Sequence, residues 1–94
     1  MSYSREDIKQ QIDEVIGLCK QEASKPGSFG YLPDIIRVFE RMSEHLDISV
    51  SADQRAKDVG GLGRVVTEDY TFSASPLAAR IMDVASQYVN LTNS

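Results

Sequence analysis

The sequence predicts an all-α protein, a single-domain four-helix bundle with helices at about 4–24, 33–46, 51–69 and 76–90. Three observations support this prediction. Apolar residues recur every three or four positions in four separate stretches. Capping residues stand where the stretches begin, and segments rich in glycine or small polar residues separate them. Because 94 residues is the size of one domain, we assign residues 1–94 to a single unit.

The first helix is predicted at 4–24. Ser4 is a typical N-cap residue, and Asp7 follows three positions later, as in a capping box. Behind this start, one apolar stripe occupies a single helical face. Its members are Ile8, Ile12, Val15, Ile16 and Cys19.

The second helix is predicted at 33–46, after a loop that contains the turn-forming pair Pro26-Gly27. Its charged residues lie on the side away from the apolar stripe, where they can form surface ion pairs. The stripe consists of Ile35, Ile36, Phe39, Met42 and Leu46.

The third helix, at 51–69, contains the stretch VGGLGR at 59–64. Glycine inside a helix costs about 0.8–1.0 kcal/mol relative to alanine, so a compensating interaction is needed. We interpret Gly60 and Gly63 as helix-packing glycines that let a neighbouring helix approach closely. The small-residue stripe they belong to is Ala52, Ala56, Val59, Gly60, Gly63, Val66 and Tyr70. The alternative is a helix that ends at Asp58, a glycine turn and a short hairpin at 64–72.

The last helix, at 76–90, has the strongest start signal in the chain. Ser75 is a good N-cap, and Pro76 suits the first helical position. The apolar stripe that follows is Leu77, Ile81, Val84, Ala85 and Tyr88.

The formal net charge of −4 opposes binding to nucleic acid or to an anionic membrane surface, because both need clustered basic residues. An acidic surface suits solubility or a basic protein partner. No apolar run approaches the roughly 20 residues of a membrane span, and the N-terminus lacks the order of a signal peptide. We therefore expect a cytoplasmic protein without nucleic-acid or membrane partners.

No catalytic or metal-binding constellation stands out in the sequence. His45 is the only histidine and lies near the end of the second helix, where the helix dipole favours positive charge. Cys19 is the only cysteine and continues an apolar stripe, as a core thiol does. Arg64 and Val65 follow Gly63 where a phosphate-binding loop requires lysine and then serine or threonine. We expect no cofactor, no metal and no enzymatic activity.

The candidate partner-binding residues are aromatic residues of the connectors and the charged residues near them. Aromatic side chains exposed on loops form the kind of patch that binds protein partners. The alternative is that these side chains close the ends of the bundle. The candidates are Phe29, Tyr31, Arg64, Asp69, Tyr70 and Phe72.

The segment VFERMSEH at 38–45 and the Ser75-Pro76 helix start resemble small acidic bacteriocin-immunity proteins. The resemblance covers about ten residues, and the tyrosine-bearing short third helix of that family has no clear counterpart here. The resemblance implies an inhibitor that binds a basic protein. The main hypothesis is a protein–protein interaction module or homo-oligomer, such as a homodimer. The alternative is a bundle that holds a small apolar or anionic ligand near the glycines and Arg64.

Overall fold

The structure, a computed structural model, describes residues 4–27, 30–68 and 74–91, and these residues form helices and connecting turns without a β-strand. The helices are α1 (Arg5–Ala23), α2 (Leu32–Ile48), α3 (Ala52–Val59), α4 (Leu62–Glu68) and α5 (Pro76–Val89). Helix α1 packs against α2 and α5, α3 packs against the same two helices, and α4 packs against α5. The prediction of an all-α four-helix bundle is confirmed, with α3 and α4 together in the place of its third helix.

Serine side chains cap three of these helices as the sequence predicts. Ser4 accepts a hydrogen bond from the Asp7 N–H at 3.1 Å, and the Asp7 carboxylate accepts one from the Ser4 N–H, which completes the capping box. Ser51 and Ser75 likewise accept hydrogen bonds from backbone N–H groups three residues on, at 3.2 and 3.1 Å. Each cap satisfies a backbone donor that the first helical turn leaves without a partner.

Polar contacts between helices fix their directions. Lys9, near the start of α1, pairs with Asp47, near the end of α2, at 2.5 Å. Gln11 of α1 donates to Gln87 of α5 at 2.8 Å. Helix α1 therefore runs antiparallel to α2. Between these helices lies a buried core that comes mostly from the predicted stripes. Leu32, Leu62 and Ala78 belong to none of those stripes, and the predicted members Ile16, Ile36 and Leu77 are only partly buried. The buried residues are Ile8, Ile12, Val15, Cys19, Leu32, Ile35, Phe39, Met42, Leu46, Leu62, Val66, Ala78, Ile81, Val84, Ala85 and Tyr88.

The predicted continuous third helix at 51–69 is wrong, because the helix is divided at Gly60-Gly61. The N–H of Gly60 donates to the carbonyl oxygen of Lys57 at 3.2 Å, a tighter turn than the α-helix has. Helix α4 then starts at Leu62. The alternative is confirmed in its glycine turn, but its hairpin at 64–72 is wrong where the structure describes it, because residues 64–68 are helical. Residues 69–72 lie outside the described residues.

The contacts of Gly60 and Gly63 with described residues give no support to the packing role that we predicted for them. A Cβ atom built on Gly60 would lie 3.5 Å from the carbonyl oxygens of Ala56 and Lys57, in its own preceding turn. A Cβ atom on Gly63 would lie 4.0 Å from Cε of Met82. Both distances are ordinary contacts, so none of the helices that the structure describes approaches Gly60 or Gly63 closely enough to require glycine.

The small-residue stripe of α3 faces outward rather than into the core. Ala52, Ala56 and Gly60 are exposed, whereas the buried residues of α3 are Arg55 and Asp58. The side of α3 that carries Arg55 and Asp58 turns inward instead, and Leu62 and Val66 continue this side in α4. Polar partners on α2 and α5 make this orientation of α3 favourable.

Candidate functional site

A buried carboxylate lies where α2, α3 and α5 meet. The Asp58 side chain is only 1% exposed. Its Oδ2 accepts a hydrogen bond from the Tyr88 hydroxyl at 2.6 Å, and Nδ1 of His45 lies 2.5 Å from the same oxygen. Oδ1 accepts a hydrogen bond from the Gln54 amide at 3.0 Å. We call these four residues, Asp58, His45, Gln54 and Tyr88, the Asp58 cluster.

The hydrogen bonds keep the Asp58 carboxyl ionised. Burial by itself raises the pKa of a carboxyl, but the donors of the other three cluster residues outweigh it and hold the pKa of Asp58 below its ordinary value. Burial also raises the pKa of the Tyr88 hydroxyl, and the adjacent carboxylate raises it further. Tyr88 is therefore a neutral donor and Asp58 a charged acceptor, which gives a short, charge-assisted bond.

The contact with Asp58 determines which nitrogen of His45 carries hydrogen. An ionised carboxylate has no hydrogen to donate, so Nδ1 of His45 must be the donor in this pair. A histidine oriented by a buried carboxylate provides two of the three residues of a hydrolytic triad. Within the described part of the chain, however, the hydrogen bonds of the cluster lead to Gln54 and Tyr88 and not to a serine or cysteine nucleophile. The geometry therefore matches a structural link between α2 and α3.

Arg55 provides a second polar link from α3. Its Nη1 donates to the carbonyl oxygen of Val50 at 3.0 Å, and its Nη2 donates to that of Leu91 at 2.6 Å. Val50 belongs to the connection between α2 and α3, and Leu91 follows the end of α5. The guanidinium, whose residue is 4% exposed, thus joins α3 to the connection before it and to the residue after α5, 36 positions away.

The predicted roles of His45 and Cys19 have different outcomes. His45 lies in the last turn of α2, as predicted, but the acid that orients it comes from α3 and was not predicted. Cys19 is fully buried, so its prediction as a core thiol is confirmed. Burial, together with the nearby Glu22 carboxylate, raises the pKa of the Cys19 thiol to about 11. Such a thiol is a poor nucleophile at neutral pH.

The predicted partner-binding residues are distributed over separate elements. Tyr31 is the N-cap residue of α2, and its hydroxyl oxygen is buried. Arg64 is exposed on α4. The remaining four lie outside the described residues, so the proposed patch of connector aromatics stays a prediction. These four are Phe29, Asp69, Tyr70 and Phe72.

An uncharged surface lies beside the Asp58 cluster, on α3 and α5. It centres on a shallow groove of about 240 Å³ lined by Val59, Met82, Ala85, Ser86, Val89 and Asn90. Met82 is 40% exposed. Ala56 and Ala79, each three positions before a groove residue, extend this surface along the two helices. We call the groove residues with Ala52, Ala56 and Ala79 the uncharged face.

The sequence carries a signal for the Asp58 cluster that the apolar stripes alone did not reveal. Positions 55, 58, 62 and 66 are spaced by three, four and four, so Arg55 and Asp58 continue the apolar stripe of Leu62 and Val66 backward. Charged residues in line with an apolar stripe indicate a buried polar interaction. The partners His45 and Tyr88 lie 13 and 30 positions away from Asp58, and nothing local in the sequence points to them.

Comparisons of the chain with protein-family models, curated proteins and solved structures gave no match. Within residues 4–27, 30–68 and 74–91, no helix has both the length and the apolar character needed to cross a bilayer. Across the same described ranges, no group of three or more histidine, cysteine or acidic residues is placed to hold a metal ion.

Proposed function

We propose that this protein works by binding protein, and that its partner is a second copy of itself, docked through the uncharged face. The observation that carries the proposal is the groove around the half-exposed Met82, whose described lining residues carry no charge although the chain is acidic. Asp53 and Lys57 border it on α3, and Arg80 and Asp83 border it on α5. Its centre thus offers apolar and small side chains inside a charged rim, the usual anatomy of an interface.

Net charge by itself opposes self-association, so a homodimer requires a contact surface without charge. Two molecules with a charge of −4 repel each other, and contact through uncharged faces keeps their acidic residues apart. A basic partner would need an acidic surface, but the exposed side of α2 carries both signs. Arg37, Glu40, Arg41 and Glu44 alternate there, and Arg37 lies 3.9 Å from Asp34. The immunity-type hypothesis therefore has less support.

Size also favours self-association. A chain of about 94 residues buries roughly 60–68% of the surface that its unfolded form exposes, so its own core is modest. Burying Met82 and the groove around it against a second copy adds apolar contact and stabilises both molecules by mass action. The proposed role is non-catalytic, and the proposed location is the cytoplasm, where the lone Cys19 remains reduced.

Sedimentation equilibrium with a matched pair of variants tests the proposal. The wild-type protein should approach twice the 10.4 kDa chain mass as its concentration rises. Met82→Arg places a charge at the centre of the face and should shift the protein to a monomer. Gln21→Arg adds the same side chain at an exposed position on α1 and should leave the dimer intact.

Two outcomes would refute the homodimer. The first is a wild-type monomer at every concentration tested. The second is a dimer that Met82→Arg does not weaken, because the contact would then lie elsewhere. If the wild type is a monomer, native mass spectrometry would distinguish the small-ligand alternative by a bound adduct that Met82→Arg removes. The groove gives that alternative limited support, because it is smaller than the usual 300–1,000 Å³ pocket and neither Arg64 nor the glycines line it.

A further inference from the structure

Helix α3 is attached to the bundle mainly by polar contacts. Its two buried residues are both charged, Arg55 and Asp58, and Val59 is its partly buried apolar residue that packs against the core. Every other described helix contributes at least two buried apolar side chains to that core. Apolar burial normally provides most of the free energy that holds a surface helix in place. The docking of α3 depends instead on the hydrogen bonds of two side chains.

Joints flank α3 on both sides. Before it, Ser49 adopts a left-handed conformation with φ of 58°, which ends α2 sharply. After it, Gly60-Gly61 separates α3 from α4. Glycine allows the chain to change direction at little steric cost. Because these joints interrupt the helical hydrogen bonds on either side, α3 can move without disturbing the regular structure of α2 or α4.

The rest of the bundle has its own apolar core. Ile12 of α1, Phe39 of α2 and Ile81 of α5 are each fully buried among other apolar side chains. Leu62 and Val66 anchor α4 to the same core. Helix α3 supplies none of the buried apolar side chains of this core. In contrast, a helix of eight residues is far below the length at which an isolated helix is stable in water.

We propose that α3 is a detachable helix, which undocks and unfolds as one unit when its hydrogen bonds at Asp58 and Arg55 break, while α1, α2, α4 and α5 remain packed. Undocking exposes the Tyr88 hydroxyl, the ring of His45 and the apolar surface that Val59 covers. It also removes Val59, Ala56 and Ala52 from the uncharged face. The inference does not depend on the proposed function, because it concerns the isolated chain.

The charged and titratable groups that hold α3 come from every element packed against it. Helix α2 supplies His45, α5 supplies Tyr88, and α3 itself supplies Arg55 beside Asp58. The ionised Asp58 loses its cluster partners when α3 leaves, and water then replaces them. Opening of α3 therefore replaces its hydrogen bonds to other protein groups with hydrogen bonds to water, and it exposes little apolar surface. Such an exchange costs much less than unfolding the core.

Native-state hydrogen exchange of the full chain, followed residue by residue in increasing urea, tests this proposal. The amides of α3 from Arg55 to Val59 should exchange at least about tenfold faster than those at the centre of α1. Their exchange should depend little on low concentrations of urea, because local opening exposes little surface. Exchange in α1 should accelerate steeply with urea.

Three variants separate local opening from global unfolding. Tyr88→Phe removes one bond to Asp58, and Arg55→Lys independently weakens the contacts with the carbonyl oxygens of Val50 and Leu91. Each should accelerate α3 exchange by about tenfold, the equivalent of one hydrogen bond. Ile12→Val weakens the core instead, and it should accelerate exchange in α1 while leaving α3 unchanged.

The proposal is wrong if α1 and α3 exchange at the same rate and with the same dependence on urea in the wild type. It is also wrong if Ile12→Val accelerates exchange in α1 and α3 equally, because α3 would then open only with the whole bundle. A monomeric wild type would refute the homodimer but leave this result intact. The two proposals can therefore be refuted independently of each other.

Discussion

The hydroxyl of Tyr88 donates a 2.6 Å hydrogen bond to Oδ2 of Asp58 and joins α5 to α3 across 30 positions of sequence. The ring of Tyr88 completes the apolar stripe of α5 and is fully buried. Its hydroxyl lies at the edge of that core, where a polar group needs a partner. Asp58 accepts this hydrogen bond, which also gives its buried charge one of the donors that it needs. The packing of α5 and the docking of α3 are thus coupled through one bond.

Replacement of Tyr88 or His45, which both contact Asp58, should destabilise the protein. The more buried of the two side chains should have the larger effect. Tyr88→Phe should lower the free energy of unfolding by about 1–3 kcal/mol, because it leaves a buried carboxylate with one donor fewer. His45→Ala should cost less, about 0.5–1.5 kcal/mol, since the His45 side chain is 19% exposed and water can replace it.

Urea denaturation measures both changes. Ser86→Ala, at an exposed position on the same helix as Tyr88, is the control and should change stability by less than about 0.5 kcal/mol. A larger loss from His45→Ala than from Tyr88→Phe would contradict this ranking.

The stabilisation from Asp58 should disappear in acid. Because folding lowers the pKa of Asp58, its contribution is complete above the unfolded value of about 3.9 and is lost as the pH falls through the lower folded value. Asp58→Asn lacks this titration. The stability difference between wild type and Asp58→Asn, measured in urea from pH 7 downward, should therefore narrow below about pH 4. A difference that stays constant to about pH 2.5 would show that the pKa of Asp58 is the same in both states.

The change in stability when a glycine is replaced by alanine should depend on the backbone conformation of that glycine. Gly60 has ordinary helical angles and space for a Cβ atom, so Gly60→Ala should stabilise the protein by about 0.4–1 kcal/mol through the unfolded state. Gly27 has φ of +74°, so Gly27→Ala should destabilise it by about 1–2 kcal/mol. Thermal unfolding of the two variants provides the comparison. Destabilisation by Gly60→Ala would restore the interpretation that a neighbouring helix needs this glycine.

The thiol of Cys19 should react only when the core opens. Its pKa of about 11 and its complete burial leave little accessible thiolate at pH 8. Leu18, the adjacent residue, is 42% exposed. The double variant Leu18→Cys, Cys19→Ala should therefore react with an aromatic disulfide reagent at least roughly 200-fold faster than the wild type, a factor expected from ionisation alone. Equal rates would mean that α1 exposes Cys19 readily.

The sequence predicted the strongly periodic elements well. The fold class and the stripes of α1, α2 and α5 follow from apolar spacing, and the Ser4, Ser51 and Ser75 caps follow from the local preference of serine for helix starts. Region 51–69 was predicted poorly for a physical reason. Its alanines and glycines have too little apolar surface to decide which side is buried, so weak local preferences suggested the wrong face.

The candidate site was harder to predict from the sequence than the fold was. The sequence suggested a structural place for His45, but Asp58 and Arg55 were missed because a charged residue is normally exposed. The candidate aromatics of the connectors were chosen for their chemistry, and of the four only Tyr31 lies among the described residues. No local pattern indicated the uncharged face, since it forms only where α3 and α5 meet.

The sequence by itself determined that this chain forms helices, where most of them begin and which sides of α1, α2 and α5 turn inward, because these properties depend on residues three or four positions apart. Tertiary structure alone decided the orientation of α3. With little apolar surface of its own, α3 turns toward whichever partners can satisfy Arg55 and Asp58. Those partners, His45, Tyr88 and two backbone carbonyl groups, come together only when the distant helices pack.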